Sequence, residues 1–183
     1  MDLHAAIHER RTIHSYRPEA IAEGVLERSL EAAHQAPCHK RTYPWRFVVV
    51  GPRTREEIAN IAVALKSAGK PLSSEKMSAV QHKILDPAVL VVVTQVRCDD
   101  DFRSREDYAA CACAIQNMAL SLTADGVGSK WSTGGLTRDR GTYDALGIDS
   151  SLEEIIGFIW VGIAEETPQV KRPELNSLVR ETP

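Results

Sequence analysis

Residues 105–124 read Arg-Glu-Asp-Tyr-Ala-Ala-Cys-Ala-Cys-Ala-Ile-Gln-Asn-Met-Ala-Leu-Ser-Leu-Thr-Ala, the longest periodic stretch of the chain. Ala110, Ala114, Met118 and Leu122 fall on one stripe of a helix, and Cys111, Ile115 and Ala119 broaden it. A helix that is apolar almost all round is buried, so this segment is predicted to be the central helix of the fold. Gly126 and Gly128 end it, and Ser129 to Ser132 begin a strand before the Gly134-Gly135 turn. On its N-terminal side, Ala88 to Val96 is a nearly unbroken run of Val, Leu and Thr, the pattern of a central strand. Phe47 to Val50 and Ile155 to Ile163 give two further strands.

Around these lie weaker helical patterns. Asp2 to Arg10 reads as a short helix, and Ile21 to Gln35 as a second, with Val25, Leu26, Leu30 and Ala33 on one side and Pro37 stopping it. Thr54 to Ser67 is amphipathic, with Ile58, Ile61, Ala62 and Leu65 at helical spacing. Ser73 to Ile84 reads as another helix or as a lid, within a segment 67–85 whose role stays open, and Thr137 to Leu146 as a weak helix. Helices and strands interleave without the regular alternation of a doubly wound fold. The expected class is therefore α+β, a mixed sheet flanked by helices around the buried central helix. With 183 residues and no Pro/Gly/Ser-rich linker, the chain is expected to form one domain over 1–183, its charged tail leaving the body after Pro168 and Pro173.

The formal net charge of -3 offers no overall attraction to nucleic acid or anionic lipid. Basic residues cluster only locally, at Arg10 with Arg11, Lys40 with Arg41 and Lys171 with Arg172, which suits a discrete anion. Met1 to Ser15 lacks an apolar core of signal-peptide length, and no stretch approaches the ~20 apolar residues of a membrane span, so a cytoplasmic protein is expected. Cys38, Cys98, Cys111 and Cys113 show no paired CxxC spacing, so reduced thiols are expected. Cys111 and Cys113, two apart on a helix, face different ways.

Several chemistries are set aside by spacing. Gly126-Val127-Gly128 closes a helix and precedes a strand, the reverse of what a dinucleotide fingerprint needs, and no Walker-type lysine follows. His4 and His8 lack a third ligand, so no metal site is expected, and Cys38 beside His39 points away from it in an extended loop. Three segments suit a polar, flat ligand. Arg10-Arg11-Thr12 sets two guanidinium forks beside a hydroxyl, which suits a phosphate, although arginines at a helix end more often complement the negative end of its dipole. The loop from Ala36 to Pro44 enters a strand under Trp45, large enough to anchor it while Cys38, His39, Lys40, Arg41 and Thr42 stay available. Trp131-Ser132-Thr133-Gly134-Gly135 supplies a ring, two hydroxyls and approachable amides, and serves as well as a plain turn.

Taken in order, these segments, with Pro44-Trp45-Arg46-Phe47, Ala114-Ile115-Gln116-Asn117-Met118 and Ile156-Gly157-Phe158 to Gly162, resemble the FMN-dependent nitroreductase family, most closely its small YdjA-type branch. The resemblance implies a homodimer with FMN bound at the subunit interface by residues of both chains. It implies that Arg10, Arg11 and Thr12 hold the phosphate, ribityl chain and pyrimidine edge, while Pro37, Cys38 and His39 reach over from the other subunit. Trp131, Ser132 and Thr133 would line the flavin, and Arg172, with Lys171 as runner-up, would close on the phosphate. The sequence departs from the family pattern at Gln35, Arg41 and Tyr43.

The activity so implied is ping-pong reduction of nitroaromatics, quinones or similar electron-poor acceptors by NADH or NADPH, with no catalytic acid or base. Two alternatives stay open: another redox reaction on this scaffold, such as ene reduction or dehydrogenation, and a flavin-binding sensor or assembly module that turns over little.

Overall fold

Four strands form one antiparallel sheet in the order β1-β2-β4-β3. They are β1 (Trp45–Val49), β2 (Val89–Val96), β3 (Gly128–Ser132) and β4 (Glu153–Gly162), in a computed structural model that describes residues 1–182. The expected mixture of strand directions reduces to one isolated parallel bridge, Thr12 to Ser129, at the β3 edge. The helices are α1 (Leu3–Glu9), α2 (Val25–His34), α3 (Pro52–Ser67), α4 (Ser74–Leu85), α5 (Asp101–Ala124) and α6 (Arg140–Leu146).

β2 is buried on both faces because helices cover both. Val91 and Val93 pack with Ile159 and Val161 of β4 against α5 and α2. Leu90 and Val92 pack with Phe158 and Trp160 against Ile58 of α3, Ile84 of α4 and Tyr143 of α6. This two-sided burial is what the unbroken apolar run records, since alternation is needed only where one face meets water. Ile156 is an extra residue on β4, a bulge opposite Val93 and Thr94 that strengthens the local twist beside β3.

Element boundaries shift where local chemistry overrides periodicity. α2 begins at Val25, not Ile21, because Gly24 takes the left-handed conformation at φ 77°. α5 begins at Asp101, four residues before its stripe becomes readable, because the Asp100 side chain caps it by accepting the Arg103 N–H at 2.7 Å. The segment 74–85 is a single helix with its C-terminal end tied to α3, where Arg55 donates to the carbonyls of Ile84, Pro87 and Ala88.

α5 itself differs from expectation. Its stripe from Asp107 through Leu122 is buried, whereas Tyr108, Ala109 and Cys113 on the other side are exposed. Within one chain the central helix is therefore half-buried, with an apolar side left bare.

Candidate functional site

The edge strand β3 and the second half of α5 form the walls of a cavity. Ile13 donates its N–H to the Ser129 carbonyl at 3.1 Å, and this, with the Thr12 bridge, lays the segment after α1 along β3. Arg10 and Thr12 thereby face Ile115, Gln116 and Ala119 of α5 across Ser129, Trp131 and Ile159, around a volume of about 250 Å³. Such a volume falls below the ~300–1,000 Å³ usual for a complete small-molecule site. Its polar groups are a guanidinium, two hydroxyls and the Gln116 amide, and its flat surface is an indole.

The Trp131 ring is placed by its neighbour. Its Nε1 donates to the Ile156 carbonyl at 3.2 Å, and a Cβ at Gly157 would lie only 2.0 Å from that nitrogen. Gly157 is thus required for the ring to lie against β4, leaving Trp131 37 % exposed toward the cavity. Ser132 is half-buried at the end of β3, Thr133 is exposed, and Gly134 adopts φ 140°, which a side chain would strain.

The other residues expected at the site lie elsewhere in the chain. Arg11 donates to the carbonyls of His8 at 2.6 Å and of Arg10 at 2.9 Å, and it faces a second cavity of about 350 Å³ with Glu9, Thr123 and Gln169. Extended backbone turns neighbouring side chains to opposite sides, so the two forks do not converge. Arg172 is exposed in the C-terminal segment. Pro37, Cys38 and His39 lie near the first half of α5. Cys38 contacts Thr42, whose hydroxyl donates to Asp107, and His39 Nδ1 is 3.8 Å from Glu106. From Asp107 to Gln116 is roughly 13 Å along the helix at ~1.5 Å per residue. One chain therefore holds the two groups of residues apart.

Trp45, read as the anchor of this loop, is buried, and its Nε1 donates to His34 Nδ1 at 3.3 Å. Cys111 is buried and Cys113 exposed, on different faces as their spacing requires. His4 and His8 are exposed, and among the described residues no group of three metal-binding side chains converges. No described helix is long and apolar enough to cross a membrane.

Sequence reasoning missed Ile115, Gln116, Ala119, Ser129 and Ile159 as cavity residues, though Gln116-Asn117 interrupts an apolar helix and was the available signal. Asn117 proves structural, donating to the Ala32 carbonyl at 3.2 Å. Lys130 lies on the opposite face of β3 from Trp131 and does not line this cavity. Burial, and then the nearby Lys83 ammonium, hold its amine below the usual lysine range.

The Nitroreductase family profile matches residues 7–163, more than half of the chain. The chain belongs to the nitroreductase family. It is 32 % identical over 170 residues to YfhC of Bacillus subtilis (strain 168), named as a candidate NAD(P)H nitroreductase, covering 91 % of this chain and 86 % of that protein. It is 27 % identical over 152 residues to the similarly named YdjA of Escherichia coli (strain K12), covering 80 % and 77 %. A nitroreductase-like protein from Desulfovibrio desulfuricans, solved in complex with FMN, superposes with a TM-score of 0.81 over 100 % of this chain and 98 % of its own at 23 % identity, a likeness of fold.

Proposed function

We propose that this protein is an FMN-dependent oxidoreductase, of one domain over 1–183, that works as a homodimer with a flavin at each of two composite sites. The observation that carries the reading is the half-formed cavity at β3 and α5 beside the bare apolar side of α5. The wall residues Arg10, Thr12, Gln116 and Trp131 converge on a space too small for a whole cofactor, and the loop that matches it stands at the far end of the same helix. A second copy, packed on the exposed side of α5, brings its Pro37, Cys38 and His39 to the open mouth. Exposed Leu3 and Ile7 of α1 and Leu175 and Leu178 of the tail supply further apolar surface for that contact.

The donor set suits FMN. Arg10 offers a charge-assisted fork for the phosphate, Thr12 a hydroxyl for the ribityl chain, and Ser132, Thr133 and the backbone after Trp131 the groups that meet the ring edge. Arg11 braces this turn from behind, and Arg172 or Lys171, carried on the tail, closes on the phosphate. Bound FMN supplies the acceptance of hydride from NADH or NADPH and its delivery to a nitroaromatic, quinone or similar acceptor in the same slot, a ping-pong scheme. The protein positions the ring and excludes competing geometry, and no side chain is assigned a proton.

The test is spectroscopic. Purified protein should be yellow, bleach anaerobically on addition of NADH or NADPH, and recover its colour when a nitroaromatic or quinone is added. Yellow protein that neither reductant bleaches would instead be a binding module. Protein that refuses FMN altogether would end the flavin reading.

A further inference from the structure

The loop between α2 and β1 holds three residues in the left-handed region without being glycine. They are Lys40 at φ 53°, Arg41 at 55° and Tyr43 at 45°; Ala68 is the only other such residue described. Each costs on the order of 1–2 kcal/mol and persists only where the surroundings over-determine it. Pro37 and Pro44 restrict the ends of the loop but do not set its interior.

The interior is held by a chain of polar groups that ends on α5. Asp107 is 4 % exposed, and its Oδ1 accepts the Thr42 hydroxyl at 2.6 Å while Arg103 Nε stands 3.7 Å from Oδ2. A threonine hydroxyl has one hydrogen, and this short bond commits it to the carboxylate. The 3.1 Å contact between Cys38 Sγ and Thr42 Oγ1 is therefore donated by the thiol, because the threonine oxygen has lone pairs but no second hydrogen. Cys38 Sγ in turn accepts the Tyr43 N–H at 3.2 Å. The His39 carbonyl, 3.6 Å from Cys38 Sγ, is a longer competing acceptor for the same thiol hydrogen, and the shorter contacts run from Tyr43 through Cys38 and Thr42 to Asp107.

A carboxylate buried in an otherwise apolar stripe is costly to the helix that carries it, and an apolar residue of similar size would pack there at less cost. The placement of Asp107 makes sense for the loop instead. We propose that Asp107 is a positioning residue for the cofactor site, fixing through Thr42 and Cys38 the shape in which the Pro37–Tyr43 loop meets the flavin of a second copy. This rests on the reading above that the loop completes that site. Asp107 touches no ligand in this account.

Titrating the intact protein with FMN, followed by flavin fluorescence and accompanied by thermal unfolding, tests it on the wild type, Thr42→Val, Thr42→Ser and the double variant Asp107→Leu with Thr42→Val. Thr42→Val should bind FMN about tenfold more weakly, the loss of one hydrogen bond's worth of positioning, and Thr42→Ser should recover wild-type affinity. Asp107→Leu combined with Thr42→Val, which replaces both partners of the bond by apolar groups, should also bind about tenfold more weakly, yet unfold at the same or a higher temperature. That opposite movement of affinity and stability is one a purely structural residue does not give. If Thr42→Val alone fails to fold, the double variant carries the test. Wild type that binds FMN while Thr42→Val and the double variant bind it within twofold as well would overturn the role of Asp107 alone. Wild type that does not bind FMN would overturn the cofactor reading itself.

Discussion

The cavity wall and the Cys38–Tyr43 loop are held in shape by opposite means. The wall follows from sheet register: Thr12 bridges Ser129, Trp131 pairs with Ile159, and the indole rests where Gly157 has no side chain. Its backbone is satisfied by ladder bonds, and the core beneath supplies its rigidity. The loop has no ladder. It keeps three strained residues in place with one thiol, one hydroxyl and one buried carboxylate. A site surface built by packing resists single polar changes, whereas one built by a chain of hydrogen bonds fails when any link is lost.

That contrast can be broken at its most exposed point. Arg10→Ala removes a charged donor from the wall without touching its packing, so FMN affinity should fall about 10- to 100-fold, the ~1.5–3 kcal/mol of a charge-assisted bond, while unfolding stability stays within ~0.5 kcal/mol. Equilibrium titration beside chemical denaturation measures both, and unchanged affinity would remove Arg10 from the site. Gly157→Ala probes packing directly. A methyl group 2.0 Å from Trp131 Nε1 must displace the indole, at about 1–3 kcal/mol of stability and with quenching of the Trp131 contribution to fluorescence altered. A variant as stable as wild type would mean that the ring is not held by its neighbour.

The smallest effect is expected on the loop side, at alkaline pH. Burial first, and then the charges of Asp107 and Cys38, push the Cys111 thiol up to about 12 from an ordinary 9.0. The unfolded chain loses this proton first, so the stabilising contribution is complete below pH ~9 and is lost as pH rises toward 12. At pH 10 the loss is on the order of 1 kcal/mol from this group. Cys111→Ala should flatten the decline measured between pH 8 and 10 in denaturant unfolding at matched ionic strength, and an equally steep decline in the variant would assign it elsewhere.

How much of this was readable beforehand follows the same division. The strands and α5 announce themselves because burial on one or both faces writes a local period into the chain, as at Val89 to Val93 and Ala110 to Leu122. The N-terminal start of α5 did not, because Phe102 is exposed and the Asp100 cap is a single-residue signal. Trp131 could be named as a ring near glycines, but its seat on Gly157 joins residues 26 apart and leaves no spacing to detect. Thr42 and Asp107 are 65 apart, and Asp107 looked like one more polar residue at the head of a helix. Arg10 and Arg11 were legible as a pair but not as facing apart, since an extended backbone, not a helical one, carries them past β3. The bare side of α5 was legible as apolarity, but composition does not say how much of an apolar helix its own chain covers, and Tyr108, Ala109 and Cys113 are exposed.

The roughly 13 Å that separates wall from loop along α5 has a genetic corollary. In the proposed homodimer every active centre would draw on two different polypeptides, so damage to the wall and damage to the loop would be separable lesions. A mixed pair, one copy carrying only the first defect and the other only the second, would then concentrate both faults in one centre and leave the remaining centre whole.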